Sequence, residues 1–419
     1  MLEVIFWHAS RFFFESMSDW KKCKLGDIIE LQRGYDLPHA KRCPGDYPIV
    51  SSSGITGTHS VYKVNPPGVV TGRYGTIGEV FYTKACFWPL NTTLFVSDFK
   101  GNFPRFVYYL LQLFDFQRFC EKSTVPGINR NDLYPTVIKI PLSIKKQKLI
   151  AQVLSSLDEK IDLNRQLNDN LEAMAQALYD YWFVQFDFPD ANGKPYKSSG
   201  GKMVWNEVLK REIPAGWSCG QLGDIIQANP TEHLNKGAVA PYIAMEALST
   251  TRFLTDEPEK KAYAGGMKFR NKDILIARIT PCLENGKTAL VHDLKDKEVG
   301  FGSTEYIVIR GKLFSLPTFC ICLARSKEFR TYAISKMTGT SGRRRLDYKD
   351  VEAYKQPIPP ASLLCKFENW GAGVLDKMHK TLVQNRILEK QRDFLLPLLM
   401  NGQVQVRPQG ELNYHLSAD

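Results

Sequence analysis

Residues 154–183 read LSSLDEKIDLNRQLNDNLEAMAQALYDYWF. Along this stretch Leu154, Leu157, Ile161, Asn164, Asn168, Leu171, Ala175, Leu178 and Trp182 step alternately by three and four. That spacing keeps one stripe of a helix against a partner helix. Residues 147–185 contain no glycine or proline, and about 35 helical residues span roughly 50 Å. Two asparagines interrupt the stripe in mid-helix; such residues weaken a helix pair but fix its register and partner. Leu375, Met378, Leu382, Asn385 and Leu388 form a second stripe, with its helix expected to end near Pro397. Two such helices in one chain bury their stripes on each other; the alternative is that each packs only on its own domain.

Working outward, the chain repeats itself. Trp20-to-Ile29 (WKKCKLGDII) matches Trp217-to-Ile226 (WSCGQLGDII), VVTGRYG around Arg73 matches LIARITP around Arg278, and Asp132 with Ile140-Pro141 matches Asp350 with Ile358-Pro359. Leu157-Asp158 then matches Leu375-Asp376, and Leu171-Glu172 matches Leu388-Glu389, which aligns Asn168 with Asn385 and favours a matched pair. A period of this length is too long for a solenoid and defines a duplicated two-part module. Each copy opens with β-branched and aromatic runs broken by Gly, Pro and Asn, read as short strands, largely antiparallel, followed by helix. The fold class expected is α+β, two mixed α/β domains and two long helices. The boundaries expected are an N-terminal extension 1–17, a first domain 18–146, a long helix 147–185, an extended linker 186–216, a second domain 217–360, a second long helix 361–405 and a tail 406–419. Residues 1–16 look like an over-extended reading frame, with Met17 as the true start; the alternative is a short ordered helix packed on the body.

The chain has 419 residues, enough for two or three domains, with 55 Lys and Arg against 44 Asp and Glu, a formal charge of +11. Hydrophobic residues are 43% and charged residues 24%, ordinary globular values that exclude a disordered, fibrous or polytopic membrane chain. Residues 18–145 hold 16 basic and 10 acidic side chains and residues 217–359 hold 22 and 16, whereas 147–185 hold three and six. An anionic partner such as DNA therefore belongs to the globular parts. The nine cysteines are scattered without a C-x-x-C pair, and Cys320 and Cys322 sit in an apolar run, which fits a reducing cytoplasm rather than a disulfide framework. The seven histidines are isolated from one another, so no zinc site is expected.

Catalytic motifs fail on inspection. Asn65-Pro66-Pro67-Gly68 has glycine where an amino-methyltransferase needs an aromatic, and no Gly-rich cofactor loop precedes it. Asn285-Gly286-Lys287-Thr288 resembles the end of a phosphate loop, but Pro281 stands at the first glycine position, so it reads as a hairpin turn. Asp158-Glu159-Lys160 imitates a nuclease D-x-K inside the heptad helix with no partner acid, and reads as a solvated helix face.

The doubled W-x4-LGDII openings, the paired IP-ending strands and the helix quoted above carry a resemblance. With them go the KMVWNEVLKREIPAGW linker and the C-terminal LLPLLMNGQV. From about 18 to 405 the chain resembles the specificity (S) subunit of type I restriction–modification systems. It departs from the pattern at FENWGAGVLDKM, which replaces the entry QKLIAQVLSSLDEK of the first copy, leaving the second helix start near Asn369–Gly373 open. The resemblance implies two target-recognition domains, each reading half of a split site on double-stranded DNA, and an antiparallel coiled coil that sets their spacing. The coiled coil docks two methyltransferase subunits; two motor-nuclease subunits join for restriction. It implies no catalysis by this chain and no cofactor of its own; AdoMet, ATP and magnesium belong to the partners. Two rivals stay open: a coiled-coil scaffold with non-specific DNA binding, and a degenerate methyltransferase.

Side chains that read base edges are Arg, Lys, Asn and Gln, with Ser and Thr assisting. In the first domain the candidates are Ser51, Ser52, Ser53, Thr56, Arg73, Tyr74, Asn91, Thr92, Asn129 and Arg130, with turn-capping the competing role for the serines. In the second they are Arg278, Thr280, Ser303, Thr304, Arg343, Arg344, Arg345 and Lys349. Arg73 and Arg278 are equivalent in the repeat, so a shared task on phosphate or fold is expected of them. The Arg343–Arg345 run faces VPGINRND of the first copy, with one or two arginines expected on phosphate and at most one on a base.

Overall fold

A computed structural model describes residues 12–13, 20–120, 127–340 and 342–406. The expectations for residues 1–11, 14–19 and 407–419 lie outside the described residues. The chain divides into two compact units, 1–161 with 386–419, and 162–385.

The first unit is built on a four-stranded antiparallel sheet in the order Glu30–Arg33, Thr93–Asp98, Gly68–Gly72, Val80–Thr83. Alternation along these strands explains why they read as nearly unbroken apolar runs. Val69, Leu94 and Val96 enter one buried cluster while Val70 and Phe95 enter another on the opposite face. A three-stranded sheet, Gly54–His59, Tyr47–Ser51, Trp88–Pro89, adjoins it. Trp20–Lys24 pairs antiparallel with Val137–Pro141, joining the start of the module to its end.

The second unit repeats the plan. Its antiparallel sheet runs Ile226–Ala228, Tyr306–Gly311, Ile274–Ala277, Thr288–Leu290. Ile307, Ile309, Ile274 and Ile276 face one core and Tyr306, Val308 and Leu275 the other. Ser218–Gln221 pairs with Lys355–Ile358 as the first copy's ends do. The run holding Cys320 and Cys322 is the buried helix Pro317–Arg325.

The repeat extends to single hydrogen bonds. Asp27 accepts the Lys24 N–H at 2.9 Å and Asp224 that of Gln221 at 2.8 Å. Leu25 N–H donates to the Thr136 carbonyl at 2.9 Å and Leu222 N–H to the Tyr354 carbonyl at 2.8 Å. The glycine between these residues is required by close approach. A Cβ at Gly26 would stand 3.0 Å from the Tyr134 Cβ, and one at Gly223 would stand 3.0 Å from the Glu352 Cβ.

The first long helix is Ile144–Tyr179, closed by a π-helical turn Asp180–Val184. The second is Ala361–Met400. It passes without a break through Gly371, where any Cβ would collide with Thr318, and through Pro397, where sequence expects an end. Proline removes one backbone donor near the terminus, and the buried Leu399 and Met400 hold the last turn in the first unit's core. Segment 186–216 is not merely extended: Met203–Asn206 and Arg211–Pro214 form an antiparallel hairpin, its turn fixed by Asn206 accepting the Val208 and Leu209 N–H groups. Phe186 and Phe188 pack on Trp217. No helix among the described residues is long and apolar enough to cross a membrane.

Candidate nucleic-acid interface

Arg73 and Arg278 occupy the same niche in their units. Arg73 N–H donates to the Thr92 carbonyl at 2.8 Å, and its own carbonyl accepts from Ile128 at 3.0 Å; Arg278 donates to Glu305 at 2.9 Å and accepts from Leu346 at 2.9 Å. The short helices that follow are capped alike, Asn129 accepting the Asn131 N–H at 3.0 Å and Asp347 that of Lys349 at 2.9 Å. The frame is common; the side chains on it differ. The Arg73 guanidinium lies 4.5 Å from the Tyr74 ring centroid, while Arg278 faces Glu305 at 4.0 Å.

In the first unit Arg73, Asn129 and Arg130 meet strand residues Glu30, Gln32, Arg33 and Leu94 around an open pocket of about 450 Å³. Arg130 gives one guanidinium nitrogen to the Leu31 carbonyl at 2.8 Å. Reading the sequence missed Gln32 and Arg33, because the strand that carries them bears no motif beyond the LGDII opening. The other candidates are not gathered at this pocket. Ser51 is buried, donating to the Gly54 carbonyl at 3.1 Å and accepting from Ser53 N–H at 3.2 Å, a turn cap. Ser52 is buried beside it and Thr56 is exposed on the adjoining strand. Asn91 bonds Asp36, and the Thr92 hydroxyl is buried.

In the second unit two arginines of the basic run have carboxylate partners. Arg344 bonds Glu284, and Arg345 grips Glu305 through Nε and Nη2 at 2.7–3.0 Å. The Arg345 guanidinium holds the Glu305 carboxyl below its usual range. The run is thereby pinned: the Arg345 and Thr338 backbones bridge, and Thr280 N–H donates to the Arg344 carbonyl at 3.1 Å. Arg343 and Lys349 are exposed, and Arg343 has no side-chain partner among the described residues. Ser303 accepts the Glu305 N–H at 3.1 Å, and Thr304 is exposed next to it.

The helix stripes divide between the units. In the first, Leu154 packs with Leu396, Leu399 and Met400, and Leu157 and Ile161 are also buried. Asp158 is not a solvated face. It accepts the Tyr109 hydroxyl at 2.5 Å, pairs with Arg392 at 3.2 Å and stands 3.6 Å from Arg105, whose guanidinium stacks on Tyr82. The helix period puts Asp158 beside the stripe; the three partners come from distant parts of the chain.

In the second unit Leu171, Leu178, Leu375, Met378 and Leu382 line one apolar core, and Leu388 of the first unit is half-buried. Asn164 Nδ2 donates to Asn385 Oδ1 at 2.8 Å and to Gln384 at 2.9 Å. Thr381 donates to Asn168 Oδ1 at 2.5 Å. The paired asparagines are therefore Asn164 and Asn385, not the repeat equivalents Asn168 and Asn385. With 164 facing 385 and 168 facing 381 the helices run antiparallel, and the repeat carries the first pair onto the second.

Cysteine-, methyltransferase- and phosphate-loop-like features take structural places. All nine cysteines are free thiols. Asn65–Pro67 leads into the strand Gly68–Gly72, and Asn285–Lys287 lies in the connection from Ile274–Ala277 to its antiparallel neighbour Thr288–Leu290. No group of three metal-ligating side chains is present among the described residues.

Comparison with known proteins agrees with this architecture. Residues 17–173 match the type I restriction modification DNA specificity domain. The type I restriction enzyme MjaIX specificity subunit of Methanocaldococcus jannaschii is 26% identical over 437 residues, covering 93% of this chain and 94% of that one. The HindI specificity subunit of Haemophilus influenzae is 21% identical over 474 residues, covering 93% and 100%. A crystal structure of the type I S subunit from M. genitalium superposes with a TM-score of 0.59 at 18% identity over 92% of this chain and 97% of that one, which shows a shared fold. Over 93% of its length the chain is thus similar to specificity subunits of type I restriction–modification systems, and residues 17–173 carry the match to their DNA specificity domain.

Proposed function

We propose that this subunit addresses a type I complex to a bipartite site on double-stranded DNA, residues 18–146 reading one half and 217–360 the other. The helices within 147–185 and 361–405 set the spacing and dock two methyltransferase subunits, with 186–216 as the linker; two restriction-translocase subunits complete the complex. The observation that carries this reading is the doubled frame: equivalent backbone hydrogen bonds in both units, with different side chains mounted on them. Two readers of one design with different faces suit a split site with unlike halves. On this reading the subunit supplies the address and does no chemistry of its own. AdoMet, ATP and magnesium accordingly act on the partner subunits, and the complex works in the cytoplasm. The degenerate-methyltransferase rival has no cofactor loop to support it, and the scaffold rival differs in predicting equal affinity for any DNA of the same charge.

Long-read sequencing of the host genome, with partner genes intact, tests the proposal. A two-part N6-methyladenine motif with a fixed gap is the expected result. Absence of any such motif overturns the reading.

A further inference from the structure

We propose that Arg33 is a base-reading residue of the first globular part, one that sets the sequence of the half-site recognised there; this rests on the specificity-subunit reading above. Three arginines reach the pocket beside strand Glu30–Arg33, and they are not alike. Arg73 is stacked on Tyr74 and has its counterpart, Arg278, in the same backbone niche of the other unit. A residue common to two domains that read different sequences serves what they share, the phosphate backbone or the fold. Arg130 has one nitrogen on the Leu31 carbonyl. Arg33 is exposed, and its side chain has no partner among the described residues. It closes the strand opposite Leu94 in the ladder, so its position is fixed by the sheet rather than by a loop.

The second copy supplies the contrast. Counting from the LGDII opening, Arg33 falls on Pro230, which is buried and carries no side-chain donor. The preceding residue, Asn229, is committed to the sheet edge: its Oδ1 accepts the Val308 N–H at 3.0 Å and its own N–H donates to the Val308 carbonyl at 2.7 Å. The repeat therefore preserves the strand and exchanges a closed corner for a free guanidinium fork. Such a fork pairs in two-pronged fashion with O6 and N7 of guanine, which an ammonium does not reproduce. The half-site assigned to this domain should contain a guanine read by Arg33.

The experiment uses the assembled complex of this subunit with its methyltransferase partners and the bipartite site identified by methylome sequencing. Affinity is measured for the intact site, for a site scrambled in the first half and for one scrambled in the second. Arg33→Ala and Arg33→Lys should each lower discrimination at the first half-site about tenfold, the size of one lost base contact, leaving discrimination at the second within about twofold. Wild-type discrimination retained by Arg33→Lys assigns the residue to phosphate and overturns the proposal. So does a parallel fall at both half-sites, or no change in either variant. A wild-type complex that discriminates at neither half-site contradicts the specificity-subunit reading itself, a different failure.

Discussion

Arg343, Arg344 and Arg345 stand side by side in the sequence and differ in what they have left to offer. Arg344 and Arg345 are neutralised by Glu284 and Glu305 and help shape the loop; Arg343 is exposed. Arg343→Ala is therefore expected to reduce the salt slope of DNA binding by about 0.9, one phosphate contact. A salt titration of the assembled complex checks this. Glu172 makes a second prediction at this scale. Burial raises its pKa to about 7, against the pull of the Phe253 N–H it accepts at 2.7 Å and of Arg325. A folded pKa above the unfolded value of 4.5 means the unfolded chain loses its proton first as pH rises. Glu172 thus costs stability progressively between about pH 4.5 and 7, and fully above. Glu172→Gln keeps the acceptor without the charge. Its melting temperature should match the wild type's near pH 4.5 and exceed it at pH 8; a lower value at pH 8 contradicts the account.

At the scale of the element, the helix pair shows what sequence can and cannot reveal. The three-four spacing from Leu154 onward is legible because a buried stripe must recur with the helical turn. Which asparagine meets which is not, since the facing residue lies in another part of the chain and depends on direction and register. Asp158 fails for the same reason, its surroundings being Arg105, Tyr109 and Arg392. Arg33 was unreadable in another way. Exposed arginines are common, and only the sheet brings this one to Arg73, Asn129 and Arg130. Asn164→Leu alone should destabilise the protein by about 1–3 kcal/mol, because it removes the hydrogen bond that the buried Asn385 Oδ1 accepts. Asn164→Leu with Asn385→Leu should recover much of that loss while relaxing the register. Denaturant midpoints of both single variants and the double variant measure it; a double-variant loss equal to the sum of the single losses would show that the pair is uncoupled.

The whole molecule is a module written twice. What the copies share is legible in sequence because shared backbone tasks retain shared residues: the LGDII turn needs its glycine against Tyr134 or Glu352 and its aspartate as a cap. What they do not share is the reading face, where Arg33 answers Pro230, and no rule of periodicity or capping fixes such a residue. The central claim is that each copy addresses its own half of the DNA site. The most direct measurement replaces residues 18–146 with the corresponding domain of another type I specificity subunit of known motif, then sequences the methylome of a host carrying the partner genes. The account predicts a bipartite motif in which one half becomes that of the donor while the other half is unchanged. A motif altered in both halves, or in neither, would contradict it.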